Sequence, residues 1–164
     1  MARKAFFSFH FERDSWRAGQ VRNSNLTQPI NGYIDKAKWE EVKKKGDQAI
    51  KNWINEQLKG TSVTVVLIGK ETADRKYVKY EIEKSIERGN GLLGIYIHNV
   101  KNVLGETDEK GRNPLDNFTI TVNGRTRIAS NYFKTYTWSS VKGYNHLASW
   151  IDEAAELAGK EELL

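Results

Sequence analysis

The chain has 164 residues, of which 38% are hydrophobic and 29% are charged. This composition excludes a disordered chain and predicts one globular domain over residues 1–164. There is no cysteine, which excludes a disulfide scaffold, a thiolate metal site and a cysteine nucleophile and fits a reducing compartment. The apolar run near the N-terminus is short and is broken by Glu12, Arg13 and Asp14. We therefore expect a cytoplasmic protein with neither a signal peptide nor a membrane partner.

The formal net charge is +5, and its distribution along the chain is uneven. Residues 1–60 carry 12 Lys and Arg against 7 Asp and Glu, whereas residues 61–164 carry 14 of each. The densest point of the excess is Lys43, Lys44 and Lys45. A solvated helix start is the favoured interpretation, and a phosphate-bearing ligand or nucleic acid is the alternative. Nucleic acid is disfavoured as a partner, because no recognised binding motif is present and acidic residues interrupt the lysines.

Apolar runs and amphipathic stripes alternate along the chain. In chain order, the predicted elements are a strand at 4–9, a helix at about 14–22, a helix at 46–60, a strand at 62–69, a helix at 73–91, a strand at 91–100, a strand at 132–138 and a helix at 139–159. The strand SVTVVLIG (62–69) is apolar on both faces, as a parallel strand covered on two sides must be. Strands that alternate with helices predict an α/β fold, an open parallel sheet with helices on both faces.

Two long polar segments interrupt this alternation. Residues 24–42 and 99–127 are rich in Gly and Asn, and we expect them to be loops with a functional role. The second segment contains TITVNGRTRI (119–128), in which Asn123-Gly124 is a favoured two-residue turn. A small hairpin insertion in the C-terminal third is therefore predicted.

Several catalytic motifs are incomplete. Ser8 and His10 share a strand face, but no Gly-x-Ser-x-Gly elbow accompanies them. The stretch GKET (69–72) resembles the end of a P-loop, but Thr64 stands where the first glycine is required. No Gly-x-Gly-x-x-Gly follows the first strand. The three histidines are widely separated along the chain, and no metal site is predicted.

One acid, Glu81 in KYVKYEIEKS (76–85), lies at the border of a helical apolar stripe. The stripe is formed by Val78, Ile82 and Ile86, and Glu81 falls about a quarter-turn from it. In open α/β sheets, ligands bind beyond the carboxyl ends of the strands, and this helix follows one such end. Spacing alone favours a surface role, as an i,i+4 partner of Lys84 or Ser85. A catalytic role is the alternative.

A resemblance to a known family favours the catalytic role of Glu81 over the surface role. The stretch KYVKYEIEKS resembles the helix of TIR domains that carries the catalytic glutamate, with an aromatic residue and Val four and three positions before the acid. The stretches 4–23, 39–85 and 91–102 together resemble the TIR-like family that includes the ThsB proteins of the Thoeris antiphage system. Tyr77 stands where many TIR enzymes have tryptophan, and an aromatic ring is retained.

The resemblance implies a flavodoxin-like fold and an enzyme that consumes NAD⁺. Nicotinamide leaves NAD⁺ as a neutral molecule, so no general acid is needed and one carboxylate, Glu81, suffices to stabilise the oxocarbenium-like transition state. Attack by a group of the same molecule yields a cyclic ADP-ribose isomer, and attack by water yields ADP-ribose. NAD⁺ is the expected substrate, and no cofactor is expected. The expected partners are a separate effector reached through a diffusible nucleotide signal and further copies of the chain.

The other predicted substrate-binding residues lie on the elements around this helix. They are Ser8, Phe9, His10, Asp14, Arg17, Trp39, Lys70 and Tyr77. Asp14 and Arg17 open the first helix, where a pyrophosphate is expected. Trp39 is predicted to stack on a ring of the substrate or to anchor the helix that follows it. A non-catalytic scaffold that acts by homotypic assembly is the alternative function, because this fold alone does not confer activity.

Overall fold

The structure, a computed structural model, describes residues 3–23 and 36–159. Its strands are β1 (Ala5–Ser8), β2 (Val63–Ile68), β3 (Gly91–Tyr96), β4 (Thr119–Val122), β5 (Arg125–Ile128) and β6 (Thr135–Thr137). Four of them form one sheet in the order β1-β2-β3-β6, and every neighbouring pair is parallel. Every residue of β2 is buried, as its run of β-branched and apolar residues predicts. The predicted open parallel sheet is confirmed.

Helices cover both faces of this sheet. They are α1 (Phe11–Asn23), α2 (Lys36–Lys44), α3 (Asp47–Leu58), α4 (Lys76–Glu87), α5 (Ala129–Tyr132) and α6 (Ser140–Leu157). Helices α1 and α6 bury apolar residues against one face, in a cluster that includes Phe7 and Val65. Helices α3 and α4 cover the other face, where Phe6 packs with α3 and Val66 packs with α4. Side chains of successive strand residues therefore enter different layers, because they point to opposite faces of the sheet.

The hairpin insertion predicted around Asn123-Gly124 is confirmed. Strands β4 and β5 pair antiparallel and form a sheet of their own. Asn123 and Gly124 both have positive φ, at 52° and 78°, as a type I′ turn requires at its two central residues. Asn and Gly are the residues that tolerate this conformation best, so local sequence was sufficient to locate the turn.

Other element boundaries differ from the prediction. Residues 36–44 form α2, so the prediction of a loop through residue 42 is wrong over the part that the structure describes; residues 24–35 lie outside it. The strand predicted at 132–138 is reduced to β6, because Tyr132 ends α5. Helix α1 begins at Phe11, earlier than predicted. Helix α4 spans only the central part of the predicted 73–91, after a short 3-10 helix at Thr72–Asp74.

Candidate active site

A small cavity lies beyond the carboxyl end of β1, between α1, α2, α3 and α4. Its volume is about 30 Å³, which is room for about one water molecule. The residues that line it are Phe9, His10, Phe11, Glu12, Trp39, Ile54, Arg75, Tyr77, Val78 and Glu81. Most of the lining is apolar or aromatic, with a few polar groups among them, which is the usual composition of a small-molecule site.

Glu81 is buried in the wall of this cavity, with an exposed fraction of 5%. Ser8, the last residue of β1, donates a hydrogen bond from Oγ to Glu81 Oε1 over 2.8 Å. The surface role favoured by spacing is wrong. Lys84 pairs instead with Glu87, and Ser85 donates its hydroxyl to the backbone carbonyl of Glu81, not to its carboxyl group.

Burial raises the pKa of the Glu81 carboxyl to about 8, and the hydrogen bond from Ser8 acts in the opposite direction. In the part of the chain that the structure describes, no Lys, Arg or His forms an ion pair with this carboxyl. A buried carboxyl without a cationic partner favours its neutral form. A cationic ligand next to it would favour the carboxylate and would be bound in return.

Aromatic rings form the wall around Glu81. Trp39 contacts Phe11, with ring centroids 5.3 Å apart, and meets Tyr77 edge-on at 6.3 Å. Trp39 also belongs to the apolar cluster that joins α2 to α3, so it both anchors α2 and lines the cavity. Tyr77 is half-buried, and its hydroxyl donates to Asp47 Oδ1 over 2.8 Å. The ring rather than the hydroxyl of Tyr77 is therefore available to the cavity.

The end of β1 supplies the other predicted residues that reach the cavity. Phe9 lines the cavity and is also part of the core cluster on the α1 face of the sheet, and its contact with the substrate stays a prediction. His10 is buried in the lining. Burial lowers the pKa of His10, and the charge of Arg75 lowers it further. His10 therefore contributes a neutral imidazole near pH 7, which can both donate and accept a hydrogen bond.

Asp14 and Arg17 are not brought to the cavity. Arg17 donates from Nε to Val100 O over 2.7 Å and from Nη2 to Glu106 O over 3.0 Å. These bonds hold the segment after β3 against α1. Asp14 is buried, and Arg13 Nη1 contacts its Oδ1 at 3.2 Å. Among the described residues Arg17 therefore acts as a structural clamp, and a pyrophosphate contact of Asp14 and Arg17 stays a prediction.

Lys70 lies outside the cavity as well. Its Nζ is 3.2 Å from Glu109 Oε2 on the exposed surface, and its predicted phosphate contact stays untested. Sequence reasoning missed Arg75, which lines the cavity at the residue before α4. The available signal was its place at the start of the helix that carries Glu81, since that end of the helix faces the edge of the sheet where ligands are expected.

Neither a cluster of metal ligands nor a helix long enough to cross a membrane occurs among the described residues. Within 3–23 and 36–159, no three His, Asp or Glu side chains converge as metal ligands. No helix over those same residues combines the length and the apolar character needed to cross a bilayer.

A parallel α/β sheet with a buried glutamate beyond the end of its first strand is the arrangement expected of a TIR-like domain. Comparison with known families and proteins supports this assignment to the TIR-like domains. Residues 6–102 match the family model described as "Thoeris protein ThsB, TIR-like domain". The chain is also 33% identical, over 93% of its length and the whole of the relative, to a Bacillus cereus (strain MSX-D12) protein provisionally named cyclic ADP-D-ribose synthase ThsB1. The chain belongs to the ThsB TIR-like family.

Proposed function

We propose that this protein cleaves the bond between nicotinamide and ribose in NAD⁺ and forms a cyclic ADP-ribose-type product. The observation that carries the proposal is the carboxyl group of Glu81, buried among aromatic rings and held by Ser8. Membership of the ThsB family and the name of the Bacillus relative support it. NAD⁺ is the substrate, and no resident cofactor is part of the proposal.

The proposed cleavage depends on the positive charge that moves from the nicotinamide ring to the ribose as the bond breaks. The bond between the ribose C1 carbon and the nicotinamide nitrogen breaks, and both electrons leave with nicotinamide, which becomes neutral. Positive charge develops on the ribose ring. The Glu81 carboxylate stabilises that charge, and it does so more strongly than in water because the site is apolar. A nucleophilic atom of the same NAD⁺ molecule then attacks C1 and releases a proton to solvent.

The protonation of Glu81 is coupled to binding of the substrate. Without a cation beside it, the carboxyl has a pKa of about 8 because it is buried. The nicotinamide ring of NAD⁺ is cationic, so its arrival lowers this pKa and favours the carboxylate that the reaction needs. Burial thereby makes the acid selective for a positively charged ring, since a neutral ring would leave the carboxyl protonated.

The walls of the site favour cyclisation over hydrolysis. Phe9, Phe11, Trp39, Ile54 and Val78 line the cavity and restrict the access of water to a reactive ribose cation. The cavity of about 30 Å³ is smaller than a nicotinamide ribose. The aromatic rings of Trp39 and Tyr77 therefore move apart when the substrate enters, and α2, which carries Trp39, moves with them.

We extend the proposal to the setting in which the product acts. The product serves as a diffusible signal to a separate effector protein in antiphage defence, and the reaction takes place in the cytoplasm. Assembly of several copies is compatible with this role. The competing function is a non-catalytic scaffold. A scaffold has no use for a buried acid without a cationic partner, because such a group destabilises the fold.

The test compares the wild-type protein with Glu81→Gln and with Glu83→Gln, an exposed control on the same helix. Each is incubated with NAD⁺, with and without lysate from phage-infected cells, and the products are resolved by mass spectrometry. We expect wild type and Glu83→Gln to release nicotinamide and a product lighter than ADP-ribose by one water. Glu81→Gln should release neither. If no protein consumes NAD⁺ under either condition, the scaffold function replaces this proposal.

A further inference from the structure

Arg75 lies at the mouth of the Glu81 cavity without a partner for its charge. It is exposed, it lines the cavity, and it directly precedes α4. Its side chain forms no ion pair or hydrogen bond with the residues that the structure describes. A surface arginine without an ion-pair partner is common, so only its surroundings can mark it as part of a site.

The acids described near the mouth are already neutralised by lysines. Glu12 lines the cavity and pairs with Lys43 of α2. Asp47 accepts a hydrogen bond from the hydroxyl of Tyr77. Its Oδ1 is 2.7 Å from Lys76 Nζ, and its Oδ2 is 3.4 Å from Lys51 Nζ. The hydrogen bond from Lys43 lowers the pKa of the Glu12 carboxyl, and the charge of Arg75 lowers it further. Because lysines already pair with both acids, the mouth keeps an excess of positive charge that suits an anion.

The position of Arg75 is unfavourable for the folded protein by itself. A helix has a partial positive charge at its N-terminus, so a cation there is repelled and an anion is attracted. No side-chain hydrogen bond caps the start of α4, which leaves its first backbone N–H groups as donors. Arg75 and two residues of the first turn of α4, Tyr77 and Val78, line the same cavity. An anion at the start of the helix would satisfy both the guanidinium and the free N–H groups.

A second donor without a described acceptor belongs to Trp39, which also lines the cavity. Trp39 is 8% exposed and lines the cavity, and its Nε1 is buried with no hydrogen-bond partner among the described residues. A buried N–H of this kind costs stability unless an acceptor is supplied. Phosphate and ribose oxygens are such acceptors. The cavity and its mouth thus present donors and a cation, in addition to the acid of Glu81.

We propose that Arg75 and the first N–H groups of α4 bind the diphosphate of NAD⁺ and so direct its nicotinamide ribose past Trp39 to Glu81. This inference rests on the proposed function and deepens it. The dinucleotide is thereby held by its negatively charged middle at the mouth, and its cationic ring reaches the buried acid. Arg75 is a residue that binds and positions the substrate; Glu81 is the residue that acts on the breaking bond.

The kinetic test uses Arg75→Gln, with Arg88→Gln as the matched control. Arg88 is also exposed and lies at the opposite end of α4. Loss of a charge-assisted contact to phosphate should raise the KM for NAD⁺ about 10-fold, with kcat nearly unchanged. Arg88→Gln should match wild type. Arg75→Gln should melt at the wild-type temperature or above it, because a cation is removed from the positive end of the helix. A lower melting temperature, or an unchanged KM, overturns the inference.

A binding measurement separates this inference from the proposed function. ADP-ribose is titrated calorimetrically into wild type, Arg75→Gln and Arg88→Gln, in the presence and absence of inorganic pyrophosphate. We expect Arg75→Gln to bind ADP-ribose about 10-fold more weakly and Arg88→Gln to bind it as wild type does, with pyrophosphate competing in both wild type and Arg88→Gln. Equal affinity in wild type and Arg75→Gln, or no binding by any of the three, overturns the inference. An Arg75-dependent affinity without NAD⁺ cleavage would support it while contradicting the proposed function.

Discussion

The hydroxyl of Ser8, at the end of β1, donates a 2.8 Å hydrogen bond to the carboxyl of Glu81 on α4, 73 residues further along the chain. This bond joins the sheet to the helix at the wall of the cavity. It orients the acid, and it opposes the rise in the pKa of Glu81 that burial causes. Three predictions concern this carboxyl and the residues around it, and a fourth concerns Arg17.

Removal of the Ser8 hydroxyl should move the pH dependence of NAD⁺ cleavage. Because the bond from Ser8 lowers the pKa of Glu81, Ser8→Ala should raise that pKa further, by about one unit for a hydrogen bond of ordinary strength. The carboxylate form is the active one, so cleavage at pH 7 should fall about 10-fold and recover as the pH is raised. A pH profile of kcat/KM for wild type and Ser8→Ala is the measurement. A uniform loss at all pH values would mean that Ser8 acts only on the fold.

Glu81 should make the stability of the protein decrease with rising pH. Its pKa is about 8 in the folded protein against an ordinary value of 4.5, so the folded state binds more protons than the unfolded state between these values. Stability relative to Glu81→Gln is therefore greatest below pH 4.5 and is lost as the pH rises through 8. The full difference is on the order of 5 kcal/mol.

The measurement is urea unfolding of wild type and Glu81→Gln at several pH values. The variant serves as the reference, because the other titrating groups are common to both proteins and their contributions cancel. We expect Glu81→Gln to become progressively more stable than wild type from pH 5 to pH 8. A difference that stays constant over this range would show that the carboxyl is solvated in the folded protein.

The ring of Tyr77, rather than its hydroxyl, should matter for activity. Its hydroxyl bonds to the exposed Asp47, and such a bond contributes about 1 kcal/mol or less to stability. Tyr77→Phe should therefore keep kcat/KM within about twofold of wild type, whereas Tyr77→Ala opens the cavity wall and should lower it about 10-fold or more. The measurement is the steady-state kcat/KM of wild type, Tyr77→Phe and Tyr77→Ala with NAD⁺. Equal losses in both variants would assign the role to the hydroxyl.

Arg17 should act on stability and not on substrate affinity. Its guanidinium bonds to the carbonyls of Val100 and Glu106, and Arg17→Lys keeps the charge but cannot span both acceptors. We expect a loss of about 2 kcal/mol in the free energy of unfolding and faster proteolysis after Lys101, with an unchanged KM for NAD⁺. The predicted pyrophosphate contact of Arg17 requires the opposite result, a higher KM with stability retained.

The architecture was predictable because its signals are local. The run of β-branched residues in β2, the stripe of Val78 and Ile82 on α4 and the Asn123-Gly124 turn each specify an element through a few neighbouring residues. Alternation of such elements then predicts the parallel sheet. Helix α2 was missed in part, because its sequence KAKWEEVKK has only two large apolar residues, Trp39 and Val42, too few for a periodic pattern.

The candidate site was predictable only in part. Resemblance to a known family identified Glu81, whereas its spacing favoured the surface. Of the residues expected near the substrate, four line the cavity, namely Phe9, His10, Trp39 and Tyr77. Ser8 bonds to Glu81 in the cavity wall, and Asp14, Arg17 and Lys70 lie elsewhere.

The sequence by itself determined the α/β class, the hairpin and the family, since these depend on periodicity, turn chemistry and motif. Only the tertiary structure decided that the carboxyl of Glu81 is buried against Ser8, that Arg75 lines the cavity and that Arg17 holds the segment after β3. The reason is physical. A residue at the border of a helical stripe is solvated or buried according to what packs beside it, and here the neighbours of Glu81 come from β1, α1 and α2, which are distant in sequence.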